Sequence, residues 1–99
     1  MFTVPSRKSA GGSALSFPNL SRCYEETRDS VRFWGYEHAI EYSFFVTADA
    51  LRRIHPQLRQ GKDDCLSAFD AHRDLICSVA AKVHARGTKR SYDLTFVDF

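Results

Sequence analysis

Histidine and cysteine have the widest chemical range of the residue types in this chain, and four of the one and three of the other occur in 99 residues. Cys65 and His72 are seven residues apart, as are Cys77 and His84. On a helix that spacing returns to the same face two turns later, about 10 Å along the axis. Zinc ligands sit roughly 2.0 to 2.3 Å from the metal, so neither pair chelates by itself. His72 falls on an apolar stripe and reads as a core or boundary histidine with its polar needs met. Ser, Cys, His and Asp are all present for a nucleophile and base, but no nucleophile elbow, phosphate loop, dinucleotide fingerprint or HExxH string accompanies them. A chain this short also leaves little room for a deep pocket. The expectation is a protein with no catalytic residues, no metal and no cofactor, hence not an enzyme.

The cysteines Cys23, Cys65 and Cys77 are too few, and odd in number, for a disulfide framework, which fits a reducing compartment. Cys65 and Cys77 would lie about 18 Å apart on one helix and read as buried thiols. Lys82, Arg86, Lys89 and Arg90, with Tyr92 beside them and Arg52 and Arg53 earlier in the chain, form the strongest basic cluster. Such a cluster can contact a phosphate backbone and stack a base. The same cations suit a helix C-terminus and a solvated loop. A net charge of +2 is mild for a nucleic-acid binder, so nucleic acid is the second reading.

These residues need elements to position them. With 43% hydrophobic, 13% aromatic and 26% charged residues, the chain has the composition of one globular domain. Residues 1–14 are small, polar and basic and read as a flexible tail, leaving 15–99 as a single domain. No apolar run approaches the roughly 18 to 20 residues of a membrane helix and no secretory signal opens the chain, so a cytoplasmic protein without a membrane partner is expected. Leu15 to Phe17 reads as a short edge strand stopped by Pro18, and Ser21 to Ser30 as a turn or extended connection in which Glu25 and Arg28 could pair.

The stretch Val31 to Val46 alternates as a hairpin. A two-residue turn at Gly35 and Tyr36 gives Gly35 the positive φ of a type II′ turn. A four-residue loop preserves the same faces, whereas a three-residue loop inverts them. With an even-length turn, Val31, Phe33, Ile40, Tyr42, Phe44 and Val46 share the core face, while Arg32, Trp34, Glu37, Ala39, Glu41, Ser43 and Phe45 take the other, where Arg32 reaches a glutamate. Thr47 caps a short helix that Pro56 ends. A long helix starts at Asp63 or Asp64, runs through Cys65, Phe69, His72, Ile76, Val79 and Val83, and closes at a left-handed Gly87. Tyr92, Leu94 and Phe96 alternate as a last strand.

The expected fold is therefore α+β, an antiparallel sheet of three or four strands with one short and one long helix packed mainly on one face. Trp34 and Phe45, with Val97 and Phe99 as neighbours, are too apolar to stand uncovered. They form the candidate interaction surface, for a homodimer or a protein partner. The strings VRFWGY and FFVTADAL, the AFDAHRDLI segment and the closing RGTKRSYDLTFVDF resemble a bacterial family of small proteins, domain-of-unknown-function family 1488, over Phe17 to Phe99. The resemblance implies a compact α+β fold in a bacterial cytosol and no particular activity.

Overall fold

The computed structural model describes residues 15–99. The segment expected as a flexible tail, residues 1–14, lies outside the described residues. Four strands form one sheet in the order β1 (Cys23–Glu25), β2 (Ser30–Glu37), β3 (Ile40–Thr47), β4 (Ser91–Leu94). Three helices, α1 (Ala48–Ile54), α2 (Lys62–Ala71) and α3 (Arg73–Ala85), contribute buried residues to a core shared with one sheet face. The α+β class and the one-sided helical layer are as the sequence implies.

Strands β2 and β3 pair antiparallel from Ser30 opposite Thr47 to Glu37 opposite Ile40. The turn is His38 and Ala39, with φ of 53° and 66°, as a type I′ turn requires at both central residues. The expected turn at Gly35 is thus displaced, yet it is still an even-length turn, so Val31, Phe33, Tyr42, Phe44 and Val46 keep the expected face, whereas Ile40 beside the turn is 41% exposed and Glu37, now the last residue of β2, moves to the helical face. Val31 faces Val46 and Phe33 faces Phe44, and all four are at most 1% exposed. Gly35 lies mid-strand for a different reason: a Cβ there would stand 2.9 Å from Phe17 Cε1 and 3.2 Å from Phe44 Cε2. The missing side chain admits the Phe17 ring.

Ser16 pairs with Tyr36 through two backbone hydrogen bonds of 2.9 Å, the edge pairing expected of Leu15 to Phe17 reduced to one residue. The polar stretch after it supplies β1, which the sequence pattern did not reveal, and a helical turn at Glu26–Arg28. Tyr24 donates its hydroxyl to Asp29 Oδ1 at 2.6 Å, and that bond pushes its pKa up to about 12.

Thr47 Oγ1 accepts the Ala50 amide at 3.2 Å, the expected cap, and α1 stops at His55 before Pro56. The long helix is two. His72, at φ −122° and ψ 23°, leaves helical geometry between α2 and α3. The bend divides the helical layer so that α2 reaches α1, β1 and β2 while α3 reaches β4. The apolar stripe runs through the break: Cys65, Phe69, Ile76 and Val79 are all buried. Gly61 with φ 111°, not Asp63 or Asp64, precedes α2. Asp64 instead accepts the Arg59 amide at 2.8 Å.

Because the helices carry the chain back along the sheet, β4 begins at the same end as β3 and pairs with it in parallel, from Ser43–Ser91 to Val46–Leu94. The sheet is therefore mixed, though mostly antiparallel. Gly87 does not take positive φ; a Cβ there would lie 2.6 Å from Tyr92 Cε1, so this glycine lets the tyrosine close under the loop. Residues Phe96–Asp98 form a helical turn rather than prolonging the strand.

Candidate functional site

The strand register defines two sheet faces. Val31, Phe33, Tyr42, Phe44, Tyr92 and Leu94 point to the helices, where Phe33 packs on Phe69 with ring centroids 5.1 Å apart. Each buried Phe contributes roughly 1.5 to 3 kcal/mol. Cys23, Glu25, Arg32, Trp34, Glu41, Ser43, Phe45 and Asp93 share the opposite face by the same register. Among the described residues no helix lies over that face, so it is the open one.

Phe45 is nonetheless only 6% exposed. Its cover is Arg28, carried on the turn between β1 and β2, whose guanidinium lies 3.7 Å from the ring centroid. The Arg28 Nη2 also donates to Asp93 Oδ1 at 2.6 Å, so the expected pair with Glu25 does not form. A cation over an aromatic face is worth about 0.5 to 1 kcal/mol at an exposed site. Arg32 stands between the two aromatics, 5.3 Å from the Trp34 ring and 5.3 Å from the Phe45 ring. It donates to Ser43 Oγ at 3.1 Å rather than to a glutamate. Arg32 Nε is buried with no hydrogen-bond partner among the described residues. The result is a ladder of alternating rings and guanidinium groups across the sheet, with Trp34 left half-buried at one side.

Phe99 does not join this ladder. It packs against the core cluster on the helical side, and its turn lies against α1, whose Ala50 and Leu51 are wholly buried. Val97, in that same turn, is 75% exposed, away from Trp34.

The basic residues separate as well. Lys82, Arg86, Lys89 and Arg90 are exposed at the end of α3 and in the loop after it. Arg52 and Arg53 sit on α1, which starts where β3 ends, and Arg52 is paired with Asp49 at 2.9 Å. Tyr92, expected as a stacking platform, is 7% exposed and its hydroxyl accepts the Lys89 amide at 3.0 Å. It is a core residue, so base stacking has no surface there.

His72 has the partner its place on the stripe requires. Its Nε2 is 3.2 Å from His55 Nδ1, and the ring centroids are 5.4 Å apart. The bond ties the end of α1 to the helix break. His84 meets Glu37 Oε1 at 3.4 Å and stands edge-on to Tyr42 at 4.5 Å, fixing the end of α3 to the hairpin. Cys65 is buried and Cys23 and Cys77 are half-buried, all as free thiols. Burial pushes the Cys65 and Cys77 thiols above the ordinary range, which makes them poor nucleophiles.

One concavity, of about 350 Å³, is lined only by Asp70 to Leu75 around the helix break, and another, of about 360 Å³, by Tyr24, Glu26, Gly61 and Lys62. The first lies at the helix break, and the second opens at the molecule's edge between β1 with its following turn and the start of α2. No helix among the described residues is long and apolar enough to cross a membrane.

No curated protein matches the chain. The crystal structure of a protein of unknown function from the DUF1488 family of Shewanella loihica PV-4, at 1.60 Å resolution, is similar in fold. The TM-score is 0.71 and the identity 13%, over 83% of this chain and 92% of that one. The model of the family described as "Protein of unknown function (DUF1488)" matches residues 15–95, which takes in all four strands and all three helices, and the chain belongs to that family.

Proposed function

We propose that the protein is a non-catalytic binding module of the cytoplasm that acts by self-association, with the open face of the sheet as its contact surface. The carrying observation is that Trp34 stands half-buried on a face that no described helix covers. Interface centres favour Trp and Arg in this kind of setting. The charges on that face favour a second copy over nucleic acid. Arg28 and Arg32 are mixed with Glu25, Glu41 and Asp93, so a twofold axis can set each sign against its opposite, whereas a phosphate backbone would meet the carboxylates.

Light scattering on the purified chain at tens of micromolar tests the reading. A dimer mass is expected, and Trp34→Glu should return the monomer mass with an unchanged far-UV circular dichroism spectrum. A monomeric parent at that concentration sinks the proposal. A dimer that survives Trp34→Glu places the contact elsewhere.

A further inference from the structure

We infer that the outer surface formed by the end of α3 and the loop after it is a second interaction surface, one that fits the phosphate backbone of a double-helical nucleic acid without reading its sequence. No Asp or Glu occurs between Leu75 and Tyr92, while Lys82, Arg86, Lys89 and Arg90 all do. All four are exposed. Lys82, Arg86 and Lys89 make no ion pair among the described residues, and Arg90 has only a 3.4 Å bond from Nε to the Glu41 carbonyl and a 5.8 Å approach to the Tyr42 ring. Arg22, Arg28, Arg52 and Arg73, by contrast, each hold a carboxylate.

The acids of the adjoining hairpin already have partners, one of them on α3 itself. Glu37 meets His84 at 3.4 Å, and Glu41 accepts the Tyr36 hydroxyl at 2.7 Å. Complementing the helix dipole explains one or two cations in the last turn; it does not call for Lys82 and Arg86 stacked four residues apart, which repel, with two more beyond. The rest of the chain holds more acids than cations, so charge is segregated to this end rather than merely in excess.

The chemistry of the patch selects the partner. Tyr92 is buried, which removes base stacking and with it a preference for single strands. The nearest exposed large apolar residue on α3 is Leu75, about two turns from Lys82, and off the helix Ile40, next to the Glu41 carbonyl that Arg90 meets, is 41% exposed, so a single side chain beside the cations is all that could enter a bilayer. Contacts from cations alone, one in the last turns of α3, one at its cap and two in the loop after it, suit a duplex backbone, and the open sheet face remains free for self-association.

The test is fluorescence anisotropy of a labelled DNA duplex of about 20 base pairs titrated with the full chain. Binding at low salt is expected, with the logarithm of the association constant falling against the logarithm of salt at a slope no steeper than about −3.6, the limit for four phosphate contacts. Lys82→Glu with Lys89→Glu should weaken binding at least tenfold. Arg53→Glu with Arg59→Glu makes the same change in net charge away from the patch and should stay within twofold. Arg86→Gln, a mild change at an exposed helix position, should weaken binding severalfold and reduce the slope by about one, which keeps the inference testable if the double reversal misfolds. Absence of duplex binding at low salt overturns the inference, as does equal loss in the control pair. Binding to vesicles rich in phosphatidylserine without binding to the duplex overturns it too, and assigns the patch to anionic lipid.

Discussion

Gly35→Ala isolates how the edge of β2 is closed. The new methyl would meet Phe17 Cε1 at 2.9 Å, Leu15 Cδ1 at 3.2 Å and Phe44 Cε2 at 3.2 Å. Phe44 is 0% exposed and stacked on Phe33 and Tyr92, so it has nowhere to go. Leu15 and Phe17 are half-buried on a segment that meets the sheet edge at the Ser16–Tyr36 bridge, so they yield. In favour of alanine stand about 0.5 to 1 kcal/mol of backbone entropy and about 0.8 kcal/mol for a buried methyl group. Against it stand about 1 to 3 kcal/mol of overpacking, or, if the segment lets go, a comparable loss from exposing the Phe17 ring. At mid-range the balance is a destabilisation of about 0.5 kcal/mol. Urea unfolding followed by Trp34 fluorescence measures it, and hydrogen exchange at the Ser16 and Tyr36 amides reports whether the segment has left. In a Phe17→Leu background, which removes the ring edge, the same substitution should cost less, giving a coupling of about 0.5 kcal/mol or more in a double-mutant cycle. A Gly35→Ala protein as stable as its parent, with Ser16 still protected, would show that the missing side chain does not make room for Phe17.

Ala39→Gly should stabilise the protein by about 1 kcal/mol in urea unfolding, because Ala39 sits at φ 66°, where a side chain is strained and glycine is not. Gly87→Ala should destabilise by about 1 to 3 kcal/mol, since its Cβ would stand 2.6 Å from Tyr92 Cε1 and the buried ring must move; thermal melting checks it. Arg22 grips Asp70 with two bonds, at 2.8 and 2.6 Å, and holds its carboxyl below the ordinary 3.8. With the folded pKa under the unfolded one, the stabilisation is present above the unfolded value and is lost as pH falls through the folded one. The side chains are 33% and 47% exposed, so the loss is at most about 1 kcal/mol, and Arg22→Ala should flatten the acid limb of the stability curve by that amount. Phe45→Ala should lower stability by about 3 kcal/mol, where Trp34→Ala chiefly lowers the association constant read by light scattering.

The sequence carried the parts of the fold that obey a period. Alternation from Val31 to Val46 named the core face even with the turn misplaced, because shifting the turn from Gly35–Tyr36 to His38–Ala39 keeps an even loop and hence the parity. The stripe from Cys65 to Val83 was legible for a similar reason. One residue out of helical geometry at His72 changes the direction of the axis but not which side chains face the sheet, so spacing could not reveal the break. Glycines misled in both places where they were taken for backbone devices: at Gly35 and Gly87 the requirement is space for an aromatic ring, Phe17 in one case and Tyr92 in the other, and spacing along the chain does not show which ring a fold will bring against a glycine. Strand β1 was missed because Cys23–Glu25 is three half-buried residues with one apolar anchor, too short to show alternation.

The candidate surface was legible in part for the same physical reason. Period two sent Trp34 and Phe45 to the face away from the core, and the register confirms that placement. Period says nothing about what lies above a face. The cover of Phe45 comes from Arg28, on a three-residue turn before β2, locked in place by Asp93 from the last strand, a contact between residues far apart in the chain. This cover changes the reading of the face. An aromatic roofed by an ion-paired guanidinium is already satisfied within one chain, and a partner would have to displace or stack upon that roof. Trp34 has no such lock: Arg32 lies beside it at 5.3 Å, shared with Phe45 and bonded only to Ser43. In the proposed association, the apolar surface of this face still open to a partner therefore centres on Trp34, with Arg28 and Arg32 presenting the flat, weakly hydrated cations that interface centres favour. Phe45 acts beneath them as the floor that holds the two arginines in place.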